Sequence, residues 1–214
     1  MKLWSYWRSS SAYRVRIALG LKGLSFDYIA VHLLQGGGQQ HLPAFAAINP
    51  QQQVPALQVE DGDETVVLVQ SMAIIEYLNE RFPEPPLLPS KPRERAHVRA
   101  LAELINSGIQ PFQNSSTLAE LQNSGVAPGP WTQTFVSKGL TALEQLAQAQ
   151  AGQFLFGDRV SLADVYLVPQ LYSARRFGVP LEGFPTLTRA ETSAQALPAF
   201  RAAVPEAQPD AESV

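Results

Sequence analysis

The sequence predicts a small α/β domain followed by an all-α domain, and three observations carry that reading. In roughly the first eighty residues, apolar positions switch between the alternating period of a strand and the three-to-four spacing of a helix. The stretch PEPPLLPS at 83–90 interrupts both patterns and has the composition of an inter-domain linker. From residue 91 onward the chain is rich in alanine, leucine and glutamine with few alternating runs, which predicts five or more helices. The expected domains are 1–82 and 91–214, joined by 83–90.

Taken in order, KLWSYW near the amino terminus reads as a strand, and residues 11 to 22 as a helix with Val15, Ala18, Leu19 and Leu21 apolar. FDYIAV reads as a second strand, so the chain opens strand, helix, strand. A loop rich in glycine and glutamine follows, QGGGQQH at 35–41. AINPQQQVPALQVEDGDETVVLVQ then reads as two strands joined by the turn Asp61-Gly62-Asp63, and SMAIIEYLNERF has helical periodicity. In the second domain NSGIQPFQN, 106–114, puts glycine and proline into the first long helix; a kink there would tilt Gln110 and Asn114 toward the cleft, and a purely packing origin for it is equally open. Further on, Ser161 with Asp164 three residues later forms a capping-box signal, and Val160 is placed to staple to Val165. The continuation VYLVPQLYSA is apolar on most faces, which predicts a buried structural helix.

Composition narrows the function. With 214 residues and 45% hydrophobic content the chain can build one large or two small cores. Sixteen basic against nineteen acidic residues leave a net charge of −3, so no overall field draws in nucleic acid or an anionic membrane. There is no cysteine, which removes disulfides, thiolate metal sites and a cysteine nucleophile; any sulfur chemistry must arrive with a ligand. The segment MKLWSYWRSS has no long apolar core, and no run of about 18 apolar residues occurs, so a cytoplasmic protein is expected. His32, His41 and His97 are scattered without metal-ligand spacing, and no metal site is expected.

The most informative stretch is WRSSSAYRVRIAL at 7–19, where three hydroxyls separate a short apolar strand from the first turn of a helix. A helix N-terminus offers unpaired amides and the positive end of the macrodipole. Ser9, Ser10 and Ser11 add donors there, and Arg8 adds a permanent cation, so a phosphate, carboxylate or thiolate could be held. Serine is also an ordinary N-cap, and the run by itself leaves both readings open.

Four segments together resemble the cytosolic glutathione transferases, and more narrowly their zeta class: RSSSAYRVRIAL at 8–19, NPQQQVPAL at 49–57, QSMAIIEYL at 70–78 and GDRVSLADVYLVPQ at 157–170. The resemblance covers nearly the full chain. It implies a thioredoxin-like N-terminal domain that binds glutathione and an all-helical C-terminal domain that binds substrate. It makes Pro55 a cis-proline that leaves the Val54 backbone free to pair with the cysteinyl part of glutathione. It gives Gln70 and Ser71 the γ-glutamyl end, and adds Ser11, Gln39 and Gln53 to the glutathione-binding residues. Ser9 matches the catalytic hydroxyl that donates to the sulfur, helped by Ser10 and Arg8. Ser11 stands where many zeta enzymes carry cysteine, which puts in question only side reactions of that cysteine, and Met72 replaces a more usual asparagine.

The activity so implied is cis–trans isomerisation of a diketo dicarboxylic acid, with glutathione as a cofactor that adds to the double bond and leaves after rotation. Addition builds negative charge on a substrate oxygen, so fixed cations are needed. Arg8 and Arg176, the latter in SARRFGV after the buried helix, are the candidates for this charge and for the substrate carboxylates, with Arg175 the exposed alternative. Gln110 and Asn114 complete the substrate residues. AVHLL, NPQQQVPAL and AQPDA look like the maleylpyruvate isomerases, whereas GIQPFQN looks like the maleylacetoacetate isomerases, and the balance favours the latter. A general zeta-type transferase acting on small α-halo acids would use the same thiolate. A non-catalytic binding module of the same fold is the reading from a different class; such modules commonly lose the hydroxyl that this chain keeps at Ser9. The family is usually a homodimer.

Overall fold

The computed structural model describes residues 1–212 and divides into two compact units, one built from Met1–Pro85 together with the chain from Pro198 onward, the other from Pro86–Leu197. The first unit holds strands β1 (Lys2–Ser5), β2 (Asp27–Ala30), β3 (Ala56–Asp61) and β4 (Glu64–Val69) in the sheet order β2-β1-β3-β4. β1 pairs parallel with β2, Leu3 opposite Tyr28, and antiparallel with β3, Leu3 opposite Leu57; β3 and β4 form an antiparallel hairpin. The turn at Asp61-Gly62-Asp63 closes that hairpin, with Gly62 at φ 64°, where only glycine sits without cost. Helix α1 (Ser10–Leu21), the short α2 (Pro43–Ala46) and α3 (Ser71–Arg81) complete the thioredoxin-like arrangement. Leu3, Val15, Ile17, Leu19, Leu57, Ile74 and Leu78 are all buried in its core, each contributing on the order of 2 kcal/mol by burial.

Helix α1 is buried from Ala12 through Leu19, an unbroken run that includes Arg14 and Arg16. Such a helix needs cover on nearly every side, and α9 (Pro198–Ala203) supplies part of it. A Cβ on Gly20 would lie 3.1 Å from the Ala199 Cβ, so the close approach of these two helices depends on that glycine. This corrects the expected extent of the helical domain: its last residues, from Pro198 onward, belong with the first unit, because α1 carries an apolar face there that the sheet does not cover.

The second unit contains α4 (Pro92–Gly108), α5 (Ser115–Asn123), α6 (Pro128–Gln148), α7 (Leu162–Arg176) and α8 (Pro185–Gln195). Ser161 and Asp164 form the expected capping box, and α7 is buried from Leu162 through Leu171. Asp164 is fully buried and accepts from Ser161 N at 2.9 Å, Ser161 Oγ at 3.0 Å and Leu155 N at 2.8 Å. Burial pushes its carboxyl up to about 6 against these three donors. Glu144 on α6 caps α8 from a distance, taking the Thr186 and Leu187 amides at 3.1 Å each. The segment 83–90 is no loose tether: Leu87 and Leu88 are buried, and the Leu87 carbonyl accepts from Leu162 N at 2.8 Å.

Candidate active site

Between the end of β1 and the start of α1 the chain makes a tight turn in which Ser9 N donates to Tyr6 O at 2.9 Å. Ser9 is the N-cap of α1, extended at φ −70° and ψ 117°, and its Oγ accepts from Ala12 N at 3.2 Å. Accepting that bond leaves the hydroxyl proton as the donor, which suits a hydroxyl meant for an anion. Ser10 and Ser11 form the first turn, which contains no acidic residue, so nothing there offsets the positive end of the dipole. The Arg8 guanidinium lies 4.6 Å above the Trp7 ring, and among the described residues it pairs with no carboxylate.

A second backbone feature of the unit lies before β3. The ladder of β3 ends at Ala56, so the Val54 peptide groups stand beyond the last pairing and are available to an added extended chain. The Val54–Pro55 bond is cis. Asn49, buried, ties this loop: its Nδ2 donates to Gln53 O at 2.6 Å, and its Oδ1 accepts from Gln51 N at 3.0 Å. Gln53 thus contributes its carbonyl to the loop, with its side chain exposed.

The third feature is the junction of β4 and α3. Gln70 sits at φ 69° and ψ 118°, a conformation a glutamine rarely adopts and that costs about 1–3 kcal/mol. Its side-chain amide donates to Gln51 Oε1, and Ser71 beside it is buried at the start of α3, where the fully buried Arg14 donates to its Oγ at 3.4 Å. The unit therefore presents an extended backbone edge, a helix start with a buried cation behind it, and a second helix start lined with hydroxyls. These fit a tripeptide that carries a thiol in the middle and a carboxylate at its γ-glutamyl end.

Gln39, expected to touch that tripeptide, spends its side-chain oxygen differently. Its Oε1 accepts from His32 N at 2.8 Å while its own N–H donates to His32 O at 2.8 Å, closing the glycine-rich loop. That loop is linked to the Val54 loop through His41 Nδ1, which donates to Gln52 Oε1 at 2.6 Å. Sequence reasoning gave no site role to Asn49, His41 or Arg14. Asn49-Pro50 was the available signal for an Asx turn, and arginines inside an apolar helical run were the signal for a buried cation.

In the second unit the expected kink is a break. Helix α4 ends at Gly108, a 3-10 turn spans Gln110–Gln113, and Asn114, extended at φ −64° and ψ 143°, precedes α5 without a side-chain cap. Proline at 111 lacks the N–H that a continuing helix needs. The break brings Gln110 Nε2 to 3.4 Å from Asn114 Oδ1. Arg175 has both terminal nitrogens engaged by the buried Glu191 carboxylate, Nη1 to Oε1 at 2.6 Å and Nη2 to Oε2. Those hydrogen bonds hold its guanidinium above the ordinary arginine range. Arg176, the last residue of α7, is exposed and stacks 4.8 Å over Phe177.

A thioredoxin-like unit with a hydroxyl-lined helix start, joined to a helical unit, defines a glutathione-transferase type of protein. The family models for the N-terminal and C-terminal domains of glutathione S-transferase match residues 1–80 and 130–204. A maleylacetoacetate isomerase of Pseudomonas aeruginosa is 50% identical over 213 residues, covering 98% of each chain. The crystal structure of maleylacetoacetate isomerase from Anaeromyxobacter dehalogenans, with glutathione in its active site, has a TM-score of 0.91 at 52% identity, covering 99% of this chain and 97% of that one. A maleylpyruvate isomerase described as a bacterial zeta-class glutathione transferase has a TM-score of 0.92 at 44% identity, covering 99% and 100%. The chain belongs to the glutathione S-transferase family, and within it to the zeta class of the maleylacetoacetate isomerases. Among the described residues no helix is long and apolar enough to cross a membrane.

Proposed function

We propose that this protein is a glutathione-dependent cis–trans isomerase that converts maleylacetoacetate to fumarylacetoacetate in aromatic amino-acid breakdown. The observation that carries the reading is Ser9: an N-cap whose oxygen is occupied by Ala12 N–H and whose proton remains to be donated. Bound glutathione supplies a thiol that adds to the substrate double bond and leaves after the bond has turned. The Ser9 hydroxyl donates to that sulfur, and Ser10, Ser11 and the start of α1 add positive potential. A free thiol titrates near 8.5, so making the thiolate dominant at neutral pH takes about 2–3 kcal/mol. One hydrogen bond to a charged group contributes about 1.5–3 kcal/mol and the helix terminus about 0.5 kcal/mol more, which covers it.

The Val54 amide and carbonyl hold the cysteinyl part, and Gln70 and Ser71 hold the γ-glutamyl carboxylate. Gln39 and Gln53 shape the loops on which the cofactor lies. Arg8 stabilises charge that builds on a substrate oxygen during addition. Arg176, with Gln110 and Asn114, recognises the substrate carboxylate; arginine suits this because its planar fork matches a carboxylate in two bonds. The protein works in the cytoplasm, as a homodimer. A second reading is maleylpyruvate as the substrate, favoured by the fold match to a maleylpyruvate isomerase.

Spectrophotometric assay of the purified protein on maleylacetoacetate and maleylpyruvate, each with and without glutathione, tests both. Glutathione-dependent turnover of maleylacetoacetate in excess of maleylpyruvate is expected. The reverse preference selects the second substrate, and glutathione binding without turnover of either overturns the isomerase reading.

A further inference from the structure

Asp210, Ala211 and Glu212 all pack onto the rest of the first unit. Asp210 Oδ2 accepts from Trp7 N at 3.1 Å and its Oδ1 from the Tyr28 hydroxyl at 2.6 Å. Ala211 packs on the apolar cluster of Tyr6, Trp7, Val31, Phe45 and Val54. Glu212 Oε1 accepts from His32 Nε2 at 2.9 Å and from Gln35 Nε2 at 3.0 Å. His32 Nδ1 meanwhile accepts from the amides of Leu34 and Gln35, at 3.2 and 2.9 Å, which puts the ring proton on Nε2.

The grip on Trp7 is two-sided. While Asp210 holds its N–H, its carbonyl accepts from Arg16 Nη2 at 3.0 Å, and the same guanidinium, 3% exposed, donates to Ser5 Oγ at 3.1 Å, Tyr6 O at 3.4 Å and Ala203 O at 3.2 Å. Tyr6 O is also the acceptor that anchors Ser9 N. A buried cation and a half-buried carboxylate therefore hold the backbone that carries Arg8 and Ser9, and the Tyr28 hydroxyl refers the carboxylate to β2, the strand beside β1. Burial, with the Asp210 hydrogen bond, keeps the Tyr28 phenol protonated well above its ordinary value.

We propose that Asp210 is a positioning residue of the thiol site, acting through the Trp7 peptide on Ser9, with Ala211 and Glu212 fixing the neighbouring Val54 and His32–Gln39 loops. This rests on the reading of Ser9 as the thiolate donor. A donor must meet the sulfur at hydrogen-bond distance, and displacement by a fraction of an ångström weakens a charge-assisted bond steeply.

The test compares Asp210→Ala with Asp210→Asn, which keeps an oxygen for Trp7 N–H and an amide that can donate to the Tyr28 oxygen. Glutathione affinity by calorimetry, the ultraviolet absorbance of bound thiolate at neutral pH, and KM for glutathione against kcat are measured for each. Alanine is expected to raise KM for glutathione by about fivefold or more and to reduce the thiolate absorbance, and asparagine to restore both to within about twofold. Lys22→Ala is the control for general loss of stability. It removes bonds to Asn79 Oδ1 at 3.0 Å and Pro85 O at 2.6 Å at the other end of α1, and is expected to leave KM and thiolate unchanged. Should Asp210→Ala not fold, Tyr28→Phe takes its place, with KM raised about twofold or more as the expected result.

Wild-type KM and thiolate signal in the alanine variant, equal loss in alanine and asparagine, or the same shift in Lys22→Ala each overturn the proposal. An unaltered protein that fails to bind glutathione would instead defeat the underlying reading, before any variant is compared.

Discussion

Replacing Ser9 by alanine removes two interactions of one oxygen, and they are separable by experiment. The first is the cap: losing the 3.2 Å bond from Ala12 N leaves an amide of the first turn unpaired, at about 1 kcal/mol of stability. The second is the hydrogen bond to the thiolate, about 1.5–3 kcal/mol for a charged acceptor, or roughly a tenfold to hundredfold loss in turnover. Threonine keeps both. Aspartate keeps the cap, and its charge is favoured at a helix N-terminus, but it sets an anion against the sulfur. The assays are thermal unfolding and kcat at saturating glutathione across Ser9→Ala, Ser9→Thr and Ser9→Asp. Alanine should lose on both axes, threonine on neither, and aspartate on turnover alone. Turnover within about threefold of the unaltered protein for Ser9→Ala, or full activity in Ser9→Asp, would refute the assignment of Ser9.

Arg8→Ala should cut turnover about tenfold with little change in stability, since Arg8 stacks on Trp7 and closes no ion pair among the described residues; kinetics and melting measured together check this. Arg175→Ala and Arg176→Ala should part company. The first strands the buried Glu191 carboxylate and costs about 2 kcal/mol, discounted because Arg175's side chain is 50% exposed, while the second, on an exposed residue that strands no buried carboxylate, costs less stability and raises KM for the diketo acid. Asp164 and Glu144 should respond to acid with opposite signs. Asp164 is raised to about 6 by burial, so the stability it contributes is fully present below the ordinary carboxylate pKa near 3.9 and is lost as pH rises through about 6. For Glu144, burial alone would raise the carboxyl, but the bonds from Thr186, Leu187 and Gln148 together outweigh it and leave it lowered; its contribution is present above the ordinary value and lost as pH falls. Denaturant titrations at a series of pH values, with Asp164→Asn and Glu144→Gln as references that do not titrate, would read the two slopes.

Much of the first unit could be read from the chain because its signals are local. The two-residue period of β3 and β4, the Asp61-Gly62-Asp63 turn and the serine cap of α1 each involve residues within a few positions of one another. The capping box at Ser161 and Asp164 was legible for the same reason. What escaped depends on partners far along the chain. The two-sided hold on Trp7 joins residues 203 and 9 positions apart, and no periodicity announces it. Arg14 and Arg16 are buried by partners far along the chain, Arg14 by Ser71 of α3 and Arg16 by Ala203 of α9. The break at Gly108 was half legible: glycine and proline marked the disturbance, but whether the helix bends or stops is decided by the 3-10 turn at Gln110–Gln113 and the new helix after it. Arg175 and Arg176 are adjacent and chemically alike, and the buried Glu191, sixteen positions from Arg175, marks Arg175 out.

A unit assembled from both ends of a chain sets an order of folding. The bonds that complete the first unit span 182 to 203 positions, from Tyr28 and Trp7 to Asp210, whereas the second unit is one continuous stretch, Pro86–Leu197. Contacts of long sequence separation form slowly, and chain made on a ribosome emerges from its amino terminus. The sheet and α1 are therefore synthesised first and finished last: until the chain from Pro198 onward has been made, the buried face of α1 lacks its cover. During that interval the face of α1 that α9 will cover stays open, while the later-made helices of the second unit can already close on themselves.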